Sequence, residues 1–143
     1  MAKYRLSQLA KIGVSTADSP SLFTNITNVT TINESGAQRS EIDATNLDST
    51  AMEYAPGLVD FGSMTFEVNW DPLEATHVVL DSLFLSGATR DWRITESPRV
   101  TPPTGEMTYF KGYISALTKT RAVNQIVKGS VTIRVTGATN VTY

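Results

Sequence analysis

The chain has 143 residues, of which 41% are hydrophobic and 18% are charged, and its net charge is −2. This composition predicts one globular domain with its own core, and it excludes an extended basic surface for binding nucleic acid. The absence of cysteine excludes disulfide bonds, thiolate catalysis and cysteine-based zinc sites, and no apolar run is long enough to cross a membrane.

Acidic and basic residues are separated along the chain. Residues 40–89 contain nine acidic side chains and no basic one, whereas residues 90–143 contain eight basic and three acidic side chains. Blocks of opposite sign indicate that one region meets the other, either between copies of the chain or between neighbouring strands of one fold.

The first elements in chain order are an arm and two strands. Residues 1–21 show no lasting hydrophobic period and are predicted to form an N-terminal arm, with Tyr4 and Leu6 as its candidate contacts. Residues 22–32 alternate and are rich in β-branched side chains, which predicts a strand. Residues 39–47 are predicted to form a more polar strand, at a sheet edge.

Residues 47–62 show neither a helical nor a strand period, and they contain Pro56-Gly57, so the sequence predicts a long loop. A structureless connection of this length is uncommon in a compact domain unless it is disordered or functional. A loop that merely covers the surface would not need large or rigid apolar side chains. This segment contains five of them: Met52, Tyr54, Pro56, Leu58 and Phe61. We therefore interpret residues 47–62 as an interaction loop.

A strand and the single predicted helix follow the loop. Residues 62–70 alternate between apolar and polar side chains, which predicts a strand with one buried face. Residues 72–86 are predicted to form a helix that begins at Pro72, with Glu74 as a capping residue, and ends at Gly87. The residues expected on its sheet-facing side are Leu73, Leu80, Leu83 and Phe84.

Three further strands are predicted at residues 89–95, 107–118 and 122–137, which makes six or seven strands and one helix in a single domain. The side chains predicted to face the core on strand 62–70 and on the last strand are Met64, Phe66, Val68, Trp70, Val131, Ile133 and Val135.

The chain shows no pattern typical of catalysis. His77 is the only histidine, and it lacks the His-Glu-x-x-His spacing of a zinc protease, so we expect it to be a structural side chain. Neither a Gly-x-Ser-x-Gly elbow nor a phosphate-binding glycine motif is present. We therefore expect no catalytic residue, no metal site, no cofactor and no enzymatic activity.

Three segments together resemble a known family. Residues 41–72, the predicted helix after them and residues 109–137 resemble the major tail tube protein of long-tailed, lambda-like bacteriophages (siphophages). The most specific pieces are Thr-x-Leu-Asp-Ser at the entry of the loop, Gly-Leu-Val-Asp-Phe-Gly at its exit, and an aromatic-Lys-Gly-aromatic strand followed by the closing Val-Thr-x-x-Val-Thr-Gly. The resemblance covers roughly residues 22–137 in the order of the elements.

The resemblance implies a mainly β fold: an antiparallel sandwich or barrel of two packed sheets with one flanking helix and a long loop, as in phage tail tubes and type VI secretion tubes. It also implies a structural virion protein that assembles with itself into stacked hexameric rings. Some members of the family carry an extra immunoglobulin-like domain at the C-terminus, and we expect none here because the sequence ends at Tyr143. The implied partners are the tape measure protein, the tail terminator and the distal tail proteins. Assembly would take place in the host cytoplasm, with no membrane involved.

The resemblance assigns residues 47–62 to ring stacking, and the residues expected to carry it are Leu47, Asp48, Met52, Glu53, Tyr54, Pro56, Gly57, Leu58, Asp60 and Phe61.

The charge of the predicted inner wall of the tube suggests a second site. A tube through which DNA slides must not bind phosphates, so its inner wall should be neutral or acidic. Glu67, on the solvent face of strand 62–70, is the best candidate to face this lumen.

Two other functions remain open from the residues. The chain could be a small β-sandwich binding module that does not assemble, or the tube protein of a contractile tail or of a secretion-like device. An enzyme of unrecognised type ranks last.

Overall fold

The computed structural model describes residues 10–15, 22–34, 36–96 and 107–142, and in this part of the chain it contains nine strands and one helix. The strands are β1 Lys11–Ser15, β2 Phe23–Asn25, β3 Val29–Glu34, β4 Gln38–Asp43, β5 Tyr54–Asp60, β6 Ser63–Asn69, β7 Arg90–Thr95, β8 Met107–Thr120 and β9 Lys128–Thr142, and the helix is α1 Ala75–Ser86. All the strand pairs are antiparallel. The predicted fold class, mainly β with antiparallel sheets and one helix, is confirmed.

Seven strands form one sheet in the order β2-β1-β7-β8-β9-β6-β3, and β4 and β5 form a separate two-stranded sheet. The edge strands β2 and β3 are joined by residues 26–28 alone, a connection that spans at most about 14 Å. A flat sheet of seven strands would separate its edges by about 29 Å. The sheet therefore curls until its edges approach each other, and the short connection bonds to both sides: Ile26 N–H donates to the Ile12 carbonyl at 2.8 Å, and Asn69 N–H donates to the Asn28 carbonyl at 2.9 Å.

The core fills the inside of this curved sheet, because alternate side chains of β6, β7, β8 and β9 point inwards. Helix α1 packs on β8 and adds Leu80 and Leu83 to the same cluster. All the core positions predicted on β6 and β9 are buried except Trp70, which lies just beyond β6 and is half-buried. Trp92 is the largest fully buried side chain, and its Nε1–H donates to the Gly112 carbonyl at 3.1 Å.

The predicted strand 22–32 is wrong as a single element. It is divided into β2 and β3 by residues 26–28, where Asn28 adopts a φ of 60°. Asparagine tolerates this left-handed conformation better than most residues, and the break lets the chain cross from one edge of the sheet to the other. Alternation alone could not reveal it, because both halves keep the period of a strand.

The predicted N-terminal arm is wrong for residues 11–15, which form β1 inside the large sheet, between β2 and β7. The strand is short and contains Gly13, so its local period is weak. Its place in the sheet comes from pairing on both sides, for example between Ile12 and Ile94. Residues 1–9 and 16–21, and with them Tyr4 and Leu6, lie outside the described residues.

Helix α1 begins at Ala75, three residues later than predicted, and ends as predicted with Gly87 in the left-handed conformation. The Asp71 side chain does not cap the helix. Its Oδ1 accepts from Leu73 N–H at 3.0 Å and forms a turn before the helix. The buried side chains of α1 are His77, Leu80 and Leu83. The expectation that Leu73 and Phe84 also pack on the sheet is wrong, because both are exposed.

Candidate functional site

The segment predicted to be a loop is half of a β-hairpin. Strand β5 pairs with β4 from Asp43 opposite Tyr54 to Gln38 opposite Asp60, and we call residues 38–60 the hairpin. The prediction that residues 47–62 lack secondary structure is therefore wrong. Pro56, which has no N–H to donate, is tolerated because β5 has a partner strand on one side only. The sequence pattern hid the strand because neither face of it is continuously apolar.

The connection between the two strands is held by local hydrogen bonds. Ala44 N–H donates to the Glu53 carbonyl at 2.9 Å, and Glu53 N–H donates to Thr45 Oγ1 at 2.9 Å. At the tip, Ser49 Oγ donates to the Glu53 carboxylate at 3.0 Å, and Asp48 N–H donates to Asn46 Oδ1 at 2.9 Å. These bonds position the tip side chains without help from the core.

A β-bulge bends the hairpin near its middle. Between the pairs Arg39–Val59 and Glu41–Pro56, the single residue Ser40 opposes Gly57 and Leu58, the extra residue lying on β5. Gly57 is required there, because a Cβ atom at this position would lie 2.9 Å from the Ser40 carbonyl oxygen. Pro56 and Gly57, which the sequence placed in a loop, therefore lie within a strand.

Apolar side chains on the hairpin face solvent. Every residue of β4 is exposed, and β5 alternates between exposed and half-buried side chains. Leu58 is 88% exposed, although it lies in a hydrogen-bonded strand. The exposed large apolar residues of the hairpin are Ile42, Leu47, Met52, Tyr54 and Leu58. Exposed apolar side chains of this kind are common at interaction sites, and they make the hairpin the candidate site of this chain.

Two of the predicted stacking residues make contacts within their own subunit. Phe61 is half-buried and packs against the core. Asp60 fixes the base of the hairpin: its Oδ1 accepts from Gly62 N–H at 2.9 Å, and both its oxygens accept from Arg134 Nη2, at 3.1 and 2.9 Å. The bond from Gly62, and then the bond from the Arg134 guanidinium, hold the pKa of Asp60 below its ordinary value of 3.8.

Glu67 lies exposed on the polar face of the large sheet, opposite the buried side chains of β6. Its cross-strand neighbours are Ser130 on β9 and Thr31 on β3. Next along the same face, the hydroxyl groups of Thr65 and Thr132 lie 3.5 Å apart. Around Glu67 this face is thus rich in uncharged hydroxyl groups.

Four basic residues share this polar face, because they alternate with buried residues on β7, β8 and β9: Arg93, Lys111, Lys128 and Arg134. Arg134 is held by its ion pair at the hairpin base, and Lys111 Nζ lies 3.9 Å from Asp91 Oδ1. Two of the four bases on the candidate lumen surface are therefore partly neutralised within the subunit.

His77 is fully buried, and backbone groups occupy both ring nitrogens. Nδ1 accepts from Asp71 N–H at 3.0 Å, and Nε2 donates to the Thr27 carbonyl at 2.9 Å. The ring also stacks on Trp70, with centroids 5.1 Å apart. The side chain thus ties α1 to the connection between β2 and β3. Within the described ranges, no cluster of histidine and acidic side chains has a geometry that could hold a metal ion.

The family model for the lambda-like phage tail tube protein matches residues 4–143. The chain belongs to this family. It is a structural protein of the phage tail tube and thus part of the virion. The resemblance seen in the sequence is confirmed. No helix in the described part of this tail tube protein is long and apolar enough to cross a membrane.

A curated phage protein is also similar. Structural protein 3 of Pseudomonas phage PAJU2 is 30% identical to this tail tube protein over 113 residues, which cover 68% of this chain and 69% of the relative.

Solved tail structures share the fold at low sequence identity. The tail of an empty GTA particle, refined with C6 symmetry, superposes with a TM-score of 0.72 at 16% identity, over 93% of this chain and 95% of that one. The SPP1 tail tube gives 0.72 at 14% identity, over 94% and 77%. The six-fold symmetrised baseplate of the anti-feeding prophage gives 0.71 at 10% identity, over 99% and 97%.

The structure reveals a second exposed apolar surface that sequence reasoning missed. The predicted strand 122–137 begins only at Lys128, and residues 121–127 form the turn between β8 and β9. Val123 and Ile126 in this turn are 89% and 64% exposed, and Leu73, in the turn that follows β6, is 92% exposed. The signal was present in the sequence: two pairs of apolar residues separated by Asn124-Gln125 and bounded by Arg121 and Lys128.

Proposed function

We propose that copies of this chain form hexameric rings that stack into the tail tube, the conduit for genome delivery, and that the hairpin of each subunit makes the contact between rings. The observation that carries this proposal is an ordered hairpin with exposed apolar side chains, which projects from a domain whose core is already complete. Removing Leu58 and Tyr54 from water would stabilise the protein only when another subunit covers them. Family membership and the six-fold symmetry of tails with this fold support the ring.

The polar face of the large sheet, with Glu67, would line the lumen. The hydroxyl groups and the Glu67 carboxylate offer phosphate groups no cationic partner, and the ion pairs of Lys111 and Arg134 weaken the attraction of these two bases, so DNA would pass without being held. The tape measure protein would occupy this lumen before genome release, and the tail terminator and distal tail proteins would bind the two ends of the tube. The role we propose is structural and not catalytic, since both ring nitrogens of His77 bond to backbone groups.

The test is assembly of the purified chain at high concentration, observed by negative-stain microscopy. We expect the wild type to form tubes and the Tyr54→Ser/Leu58→Ser variant to form rings that do not stack. The variant should keep its melting temperature, since both side chains are exposed in the subunit. The conservative Tyr54→Phe/Leu58→Met variant is the control, and it should still form tubes. Tubes of normal length from the serine variant would refute the hairpin contact, and a monomer at every concentration would favour the binding-module alternative.

A further inference from the structure

The hairpin and the turn between β8 and β9 lie at opposite ends of the subunit. Strand β6 starts at Ser63, directly after the hairpin, and ends at Asn69, which pairs with Lys128 at the start of β9. Strand β3 runs the other way and leads into the hairpin at the Ser63 end. The two ends are separated by the length of β6, about 20 Å.

The turn at the far end is ordered and yet exposes apolar side chains. Gln125 N–H donates to the Ala122 carbonyl at 3.3 Å, Asn124 adopts a φ of 59°, and Trp70 N–H donates to the Val127 carbonyl at 2.8 Å. These contacts hold the backbone while Val123 points into solvent. We call this region the turn surface; it consists of Leu73, Arg121, Val123, Ile126 and Lys128.

The two ends carry opposite charge. The hairpin contains five acidic side chains and one basic side chain: Glu41, Asp43, Asp48, Glu53, Asp60 and Arg39. Residues 119–128 contain three basic side chains and no acidic one. Lys119 is paired with Asp81 at 3.1 Å. Arg121 and Lys128 are both exposed to solvent.

We infer that the turn surface is the acceptor for the hairpin of a second copy of this chain, so that the subunits join head to tail. The inference rests on the proposed function, because it names the surface on which the stacking hairpin docks. Leu58 and Tyr54 would cover Val123 and Ile126, while the acidic hairpin would approach Arg121 and Lys128. Two hairpins facing each other would instead bring like charges together. A contact between different surfaces repeats without limit, as a tube requires.

Crosslinking locates the contact directly, because the chain has no cysteine of its own. A Leu58→Cys/Val123→Cys variant, assembled and treated with a short bis-maleimide, should give a ladder of covalent oligomers. Val123→Cys alone should give none, and the matched control Leu58→Cys/Lys111→Cys, whose second site is exposed on the polar face, should not reproduce the ladder. A covalent dimer from Leu58→Cys alone, which the additional Val123→Cys does not extend to larger oligomers, would show hairpins packing on hairpins and would overturn the inference.

Substitutions on the turn surface separate this inference from the proposed function. Val123→Ser/Ile126→Ser and Arg121→Glu/Lys128→Glu should each abolish stacking as completely as the hairpin variant, whereas Arg121→Lys/Lys128→Arg should preserve tubes. Melting curves should show that all three variants remain folded. If the hairpin variant cannot stack and both disruptive turn variants form normal tubes, the acceptor assignment fails and the proposed function stands. If the wild type forms no tubes, both fail.

Discussion

Phe66 and Ile133 are fully buried inside the curved sheet and make no contact with solvent. Replacing either by alanine leaves a cavity lined by neighbours that cannot collapse fully. We therefore expect Phe66→Ala and Ile133→Ala each to lower the free energy of unfolding by about 2–5 kcal/mol. Chemical denaturation of the subunit measures this loss.

Thr65 and Thr132 provide the control, because they occupy the same two strands but lie on the polar face. Their alanine variants should change the free energy of unfolding by about 0.5 kcal/mol or less. Equal losses for both faces of the sheet would show that the core does not lie where the alternation places it.

The carboxylate of Asp60 makes the base of the hairpin sensitive to acid. Its pKa lies below the ordinary 3.8, so the folded state favours the ionised form. The resulting stabilisation is complete above about pH 3.8 and is lost as the pH falls through the lower folded pKa. Following the Gly62 amide resonance during an NMR titration should give a midpoint below 3.8.

Arg134→Ala should raise that midpoint but leave it below 3.8, because the Gly62 bond is the larger cause of the shift. A midpoint at or above 3.8 in the wild type would contradict the geometry at the hairpin base.

The pairing of β4 with β5 depends on the β-bulge at Gly57. Gly57→Ala would place a methyl group against the Ser40 backbone, so β4 and β5 could not keep their present pairing. We expect this variant to lose tube formation while the large sheet stays folded. Hydrogen exchange should show faster exchange of the amides of β4 and β5 and unchanged protection in β6 and β9.

Gly36→Ala is the matched control, because a Cβ atom at Gly36 would meet nothing within 4 Å. Its tubes and its exchange pattern should resemble those of the wild type. Unchanged protection of β5 in Gly57→Ala would mean that the bulge does not need glycine.

The polar face of the large sheet is the surface on which a change of charge should affect the passage of the genome. Glu67→Lys should assemble normally and retain DNA, because a lysine on the lumen wall would bind phosphate groups. The measurement is DNA release from particles that carry the variant, compared at low and high salt. We expect the variant to release DNA slowly at low salt. High salt should restore the wild-type rate of release, because it screens the contacts between the lysine and the phosphate groups.

Glu34→Lys makes the same charge change on β3, where its partner Met64 belongs to the opposite face of the sheet. This control should release DNA at the wild-type rate. If both variants slow release equally, or if neither does, then Glu67 does not face the lumen.

Much of this protein could be determined from its sequence, because strict alternation is a local property. The inward positions on β6 and β9, the end of α1 at Gly87 and the family resemblance each followed from a contiguous run of residues. The apolar character of the hairpin could also be predicted from the sequence, since five large or rigid apolar residues in a polar segment need a partner or a core to pack against.

Tertiary structure alone decided the rest, because it depends on pairing between distant segments. Strand β1 forms because β2 and β7 supply partners on both sides, and β5 forms because β4 does, although neither strand has a strong pattern of its own. The packing of Phe61 against the core also depends on the curved sheet, which brings distant strands together. The opposite placement of the hairpin and the turn surface likewise follows from strand direction, which no local sequence pattern contains.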